Sequence, residues 1–184
     1  MALRSYQELA ITQLRGALAH HSRALLVMPT GSGKTVVFSE ICRLASIKGS
    51  SVLILVHRRE LVKQASDKLS KAGVEHGIIA AGFKPSTHSV QVASVQTLAR
   101  RLRTVSIEPA LVIIDEAHHC VAGVWSRVIG HYSEAKIIGV TATPSRLDGR
   151  GLGSHFSTLI SGPSVEQLTK LGFLSQHRVF APPV

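Results

Sequence analysis

Aromatic side chains are scarce in this 184-residue chain, 4% of the total with Trp125 the single tryptophan, which argues against a base-stacking platform as its main binding surface. Cysteine is scarcer still. Cys42 and Cys120 lie far apart with no C-x-x-C spacing, so neither a disulfide framework nor a zinc ribbon is indicated and both read as plain buried thiols. No apolar run approaches the ~18 to 20 residues that cross a bilayer. The opening Met1-Ala2-Leu3-Arg4-Ser5-Tyr6 lacks the charged start and long apolar stretch of a signal peptide. The expectation is an intracellular (cytoplasmic) protein with no membrane partner. There is no internal repeat and no low-complexity tract. Acidic residues are also few: 11 Asp and Glu stand against 21 Lys and Arg, a formal charge of +10. A basic face of that strength gains affinity for a phosphate-rich partner by releasing condensed counterions, although an inert basic surface has the same composition.

What the chain does contain is concentrated in two short segments, Pro29-Thr30-Gly31-Ser32-Gly33-Lys34-Thr35 and Asp115-Glu116-Ala117-His118, each directly after an apolar run. A glycine-rich turn lets backbone N–H groups close around phosphate oxygens, and the N-terminus of the following helix adds partial positive charge. Lys34 would reach the β and γ phosphates, and Thr35 offers a hydroxyl to Mg²⁺. That metal needs an acidic residue at the tip of a second strand, where Asp115 stands. The longer G-x-x-x-x-G-K-T pattern asks for glycine where this chain has Met28, so the match rests on the narrower core from Gly31 to Thr35. The adjacent His118, His119 and Cys120 are too close in sequence to wrap one tetrahedral ion, and zinc is not expected.

Short apolar runs alternate with helical segments, the pattern of an α/β fold with a mostly parallel sheet covered on both faces. Strands are expected over 24–28, 51–56, 77–80, 90–93, 111–114 and 136–140. Helices are expected over 5–20, with Leu9 and Leu14 on its apolar stripe, and over 34–47, 59–72 and 95–102. Right-handed crossovers gather the loops that follow the strands at one edge. Both loaded segments lie there, with His57-Arg58-Arg59-Glu60, Ser94-Val95-Gln96-Thr97 and Thr141-Ala142-Thr143-Pro144. Beyond Thr143 the chain turns glycine-rich at Gly149, Gly151 and Gly153. A short helix then starts at Val165, with Ser164 as its N-cap and Gly172 past its end. Phe173 to Val184 reads as an extended segment leading away.

Together with Leu3-Arg4-Ser5-Tyr6-Gln7, these segments resemble, in order, the motifs of the first RecA-like, P-loop domain of a superfamily 2 DEAD/DEAH-box helicase. The stretch from Thr141 to Arg150 and Gly162-Pro163-Ser164 are similar to RadD-like and XPB-like DNA-repair helicases and to the helicase subunit of type III restriction enzymes. The resemblance implies an ATP-dependent DNA helicase or translocase that uses ATP and Mg²⁺, with DNA as track and RNA not excluded. It implies roles as well. Gln7 and Arg4 would meet the adenine, Pro29 to Thr35 the phosphates, and Asp115 with Thr35 the metal. Glu116 would orient the attacking water, His118 would relay, and Thr141 and Thr143 would link nucleotide state to the strand track. His57, Arg58, Arg59, Ser94, Gln96 and Thr97 would grip the strand backbone, without reading sequence. Arg100, Arg101 and Arg103 either join them or form a solvated helix face. Trp125 is expected behind the Asp115–His118 segment. Residues 1–160 would form the ATP-binding domain, and 161–184 an exit helix and linker toward a second RecA-like domain that is not in this sequence. Hydrolysis by the single domain should then be weak. The alternative is a nucleotide- and nucleic-acid-binding module with little catalysis; a small P-loop kinase is disfavoured by the Asp115-Glu116-Ala117-His118 pairing.

Overall fold

The structure is a computed structural model that describes residues 3–120, 123–144 and 152–176. Seven strands form one sheet: β1 (Arg23–Val27), β2 (Val52–Val56), β3 (Gly77–Ile79), β4 (Val90–Ser94), β5 (Leu111–Asp115), β6 (Lys136–Thr141) and β7 (Thr158–Ser161). They lie in the order β3-β4-β2-β5-β6-β1-β7, and every neighbouring pair is parallel. The helices are α1 (Ser5–His20), α2 (Lys34–Ile47), α3 (Arg59–Lys71), α4 (Val95–Arg101), α5 (Gly123–His131) and α6 (Val165–Lys170). From β1 to β3 the chain moves one way across the sheet through α2 and α3; from β4 to β6 it returns through α4 and α5. Right-handed crossovers put the first set on one face and the second on the other.

Alternation along each strand sends neighbours to opposite cores. Leu26 and Ile54 join Ile11, Leu14, Phe38, Cys42 and Leu69 beneath α1, α2 and α3. Leu25, Leu53 and Leu55 join Val95, Leu98, Trp125 and Val128 beneath α4 and α5. This double burial explains the near-continuous apolar runs of β2 and β5. Cys42 and Cys120 are both buried, and burial pushes the Cys42 thiol up to about 12. Among the described residues no helix is long and apolar enough to cross a membrane.

Three expectations need correction. Leu9 is 57% exposed; the stripe α1 buries is Gln7, Ala10, Ile11 and Leu14. β7 and α5 were not read from the sequence. β7 is a four-residue edge strand that buries only Ile160, so it carries no alternation to detect. α6 is capped as expected: Ser164 Oγ accepts from Gln167 N at 3.1 Å, and Gln167 Oε1 from Ser164 N at 2.8 Å. Past α6 the chain does not lead away at once. With Gly172 at φ 74°, the N–H groups of Phe173 and Leu174 both return to Leu168 O. Phe173 then packs 5.6 Å from the Tyr6 ring, with the Arg4 guanidinium 4.2 Å from its centroid. Ser145 to Gly151, including Gly149, and 177–184 lie outside the described residues.

Candidate nucleotide site

Because all seven strands are parallel, the segments after β1, β2, β4, β5 and β6 share one edge. The turn after β1 is anchored by Met28 N–H to Thr141 O at 2.9 Å and by Ser32, whose N and Oγ both donate to Pro29 O. Gly31 and Gly33 have φ of 80° and 85°. A Cβ on Gly33 would lie 2.5 Å from Gln7 Nε2, so glycine is required there by space as well as by backbone. Gly33 caps α2 without a side-chain hydrogen bond, and the first turn of α2 has no acidic residue. Its leading N–H groups therefore face outward uncompensated, as an anion cradle does.

Lys34 Nζ turns back to Met28 O at 3.4 Å. The Thr35 hydroxyl accepts from Lys68 Nζ at 3.0 Å. Across the edge, Asp115 Oδ1 accepts from Glu116 N at 3.1 Å. Desolvation and then the neighbouring Glu116 charge raise the Asp115 carboxyl above its usual range, while that hydrogen bond and the charges of Lys34 and Lys68 oppose the shift. The two segments thus act on each other electrostatically. A desolvated carboxylate and a threonine hydroxyl beside an open N–H cradle are oxygen donors of the hard kind that suits Mg²⁺.

Glu116 is the one non-glycine residue with positive φ among the described residues, at φ 52° and ψ 57°. Its Oε2 lies 3.4 Å from His118 Nδ1, which also lies 3.0 Å from Thr141 Oγ1. Thr141 is fully buried and donates its only hydroxyl proton to Thr143 O at 2.9 Å. Its oxygen must therefore accept, from Thr143 N at 3.1 Å and from a His118 that carries its proton on Nδ1. Trp125 packs behind this segment with Ala117 and Cys120.

Gln7 is 4% exposed, and half of its amide is already used within the chain: Nε2 donates to Ser32 O at 3.1 Å and Oε1 accepts from Arg4 N at 3.0 Å. Tyr6 Oη donates to the same Ser32 O at 2.8 Å. The Arg4 side chain is exposed and donates to Tyr6 Oη. Of the strand-gripping candidates, Arg58 and Gln96 are exposed, Thr97 and His57 are half-buried, and Ser94 is buried and donates to Gln96 Oε1. The Arg59 side chain lies outside the described residues. Arg100 and Arg103 are exposed and Arg101 is half-buried. A cleft of about 620 Å³ adjoins the phosphate turn, lined by Leu3, Thr35, Ser39, Arg43, Lys68 and Lys71. Lys68 and Lys71 are neighbours of the site that sequence reasoning missed. Lys68 and Lys71 share a helix face by spacing, but only the tertiary fold brings that face to Thr35.

Residues 1–146 match the family model of the type III restriction enzyme, res subunit. Among curated proteins, a putative ATP-dependent helicase IRC3 of Saccharomyces cerevisiae is 38% identical over 86% of this chain and 26% of its own length. The DNA 3'-5' translocase XPB2 of Sulfurisphaera tokodaii is 30% identical over 90% of this chain and 37% of its own. Among solved structures, the Hef helicase domain of Pyrococcus furiosus superposes with a TM-score of 0.71 at 25% identity, covering 88% of this chain and 38% of that one. The chain thus spans about a quarter to two fifths of the length of these relatives.

Proposed function

The chain belongs to the family of the type III restriction enzyme res subunit, and on that premise we propose that it is the ATP-binding and hydrolysing domain of an ATP-dependent DNA helicase or translocase. The observation that carries this reading is the open N-terminus of α2, free of acidic residues in its first turn, on the same sheet edge as a desolvated carboxylate, Asp115.

ATP is the substrate. The free N–H groups of the turn from Pro29 to Thr35, those of Gly31, Gly33, Lys34 and Thr35, bind its phosphates while Ser32 holds the turn, and Lys34 leaves Met28 O to follow negative charge as it moves to the leaving oxygen. Thr35 and Asp115 would hold Mg²⁺, which when bound neutralises charge between the β and γ phosphates. Glu116 orients the attacking water and accepts its proton. His118 and Thr141 hold Glu116 in place, and Thr143 ties that node to the loop after β6. Gln7 keeps one N–H and one lone pair free, enough to pair with the N6 and N7 edge of adenine, with Arg4 beside it. The rest of the nucleotide lies along the cleft beside Thr35, whose volume is in the range of small-ligand sites. His57, Arg58, Arg59, Ser94, Gln96 and Thr97 meet a nucleic-acid backbone at the same edge, and DNA is the track we favour.

A second RecA-like domain, in cis or in trans, completes the site. The relatives' greater length supports this part of the reading. Until that domain closes, turnover is weak, and the chain acts mainly as a nucleotide- and nucleic-acid-binding module. The test is ATP hydrolysis with and without single- and double-stranded DNA and RNA, beside Glu116→Gln. Stimulation by DNA that is lost in the variant is the expected result. Phosphate transfer to a small acceptor, or no ATP binding at all, would overturn the reading.

A further inference from the structure

Three imidazoles and the single tryptophan stand in contact between the loop after β2 and the loop after β5. The His57 ring lies nearly parallel to Trp125, at 9° and 6.3 Å, and is also stacked on His119 at 22° and 4.8 Å. His119 meets His118 at 46° and 4.1 Å. His118 is the ring that touches Glu116 and Thr141 through Nδ1. His57 Nδ1 is buried with no hydrogen-bond partner, so its ring is placed by stacking rather than by a bond at that nitrogen. Desolvation, and then the neighbouring His118 and His57, lower the pKa of His119, with Arg58 acting in the same sense and Glu116 opposing.

One end of this stack is the loop where Arg58 precedes α3 as its N-cap; the other is Glu116, whose left-handed backbone conformation persists only if its surroundings hold it. Packed rings transmit displacement because close contacts tolerate little compression. A ring held by stacking can slide or tilt without first breaking a hydrogen bond. We propose that His57, His119 and His118 form a contact column that positions Glu116, so that a ligand pressing on the His57–Arg58 loop changes the orientation of the Glu116 carboxylate. The role of Glu116 in this rests on the function proposed above; the column itself does not. His57 and His119 are then positioning residues, acting on the reaction only through His118.

The test is a double-mutant cycle on the whole chain, read from the His118 imidazole resonances by NMR. His57→Phe keeps a ring against Trp125, and His119→Leu or His119→Gln removes the middle imidazole at an exposed position. Expected is a His118 shift on His57→Phe in the wild-type background that disappears when position 119 is changed. An equal shift in both backgrounds, or none in either, overturns the column. A second arm adds a single-stranded oligonucleotide, followed by anisotropy for binding. Binding should move His118 in the wild type and leave it still in His119→Leu at oligonucleotide affinity within about twofold; movement in both overturns the proposal. A chain that binds no oligonucleotide removes the nucleic-acid reading, and the first arm still decides the column.

Discussion

Lys68 Nζ donates to Thr35 Oγ1 across 3.0 Å, joining the last turn of α3 to the second residue of α2. The hydroxyl proposed for Mg²⁺ is thus occupied by an ammonium, whose charge also acts on Asp115. Without nucleotide, Lys68 serves as a stand-in cation that the metal must displace.

Replacing Lys68 by Met should therefore tighten Mg²⁺ binding to the nucleotide-free chain. A single and a double positive charge ~4 Å apart in water-like surroundings repel by about 2 kcal/mol, or up to about thirtyfold in affinity. Salt should shrink the gain. Calorimetric titration of both chains with MgCl₂ at low and high ionic strength checks this; unchanged affinity at low salt would show that Lys68 does not compete.

Asp115 gives a prediction whose sign comes from linkage. Its folded carboxyl lies above the unfolded value, so the fold binds this proton more tightly than the unfolded chain does. The contribution is stabilising below the unfolded pKa and is lost as pH rises through the folded one. At pH 7 without metal, Asp115→Asn should melt at a higher temperature than the wild type, and the gap should close as the solution is acidified. Mg²⁺ with ATP should reverse the order. Thermal melts over pH 4 to 7 test it.

Much of this site was legible before the fold was seen, for reasons particular residues make clear. β1 and β5 announce themselves because Leu25, Leu26, Ile113 and Ile114 are buried on both faces, leaving apolar runs that end where Gly31 and Asp115 are needed. Gly33 is legible because no other residue fits its φ and its contact with Gln7. Lys68 was not, since nothing in a helix tail says which neighbour it will face. Gly172 was read as a helix stop, but the direction taken after it depends on Phe173 finding Tyr6 and Arg4. α5 was hidden by its nine-residue length and its two glycines, Gly123 and Gly130, although Trp125, Val128 and Ile129 carry helical spacing.

Gly33→Ala should cost stability and function together. Left-handed backbone costs a non-glycine residue about 1–2 kcal/mol, and the new methyl would displace the Gln7 amide from Ser32 O. A fall in melting temperature of roughly 2–8 °C should accompany loss of nucleotide binding. Gly16→Ala is the control. It sits mid-helix in α1 with nothing within 4 Å of a new Cβ, and should be neutral or stabilising by up to about 1 kcal/mol.

Thr141 is the node through which the loops after β5 and β6 hold each other. One buried oxygen accepts from His118 Nδ1 and Thr143 N and donates to Thr143 O. Thr141→Val keeps the shape and removes all three bonds, leaving the half-buried His118 ring short of a partner and the N–H and C=O of the exposed Thr143 to water. That should destabilise the fold by about 1–3 kcal/mol. Thr141→Ser keeps the hydroxyl and should stay within about 1 kcal/mol of wild type, since it loses only a buried methyl. If the node serves only to support the fold, ATP turnover per folded molecule will be equal in the two variants. If it holds His118 and Glu116 for the attacking water, turnover will fall by at least about tenfold in Thr141→Val and survive in Thr141→Ser, a tenfold change being about 1.4 kcal/mol in the barrier. Measuring turnover well below both melting temperatures separates the two, because loss of folded protein then contributes nothing to the rate.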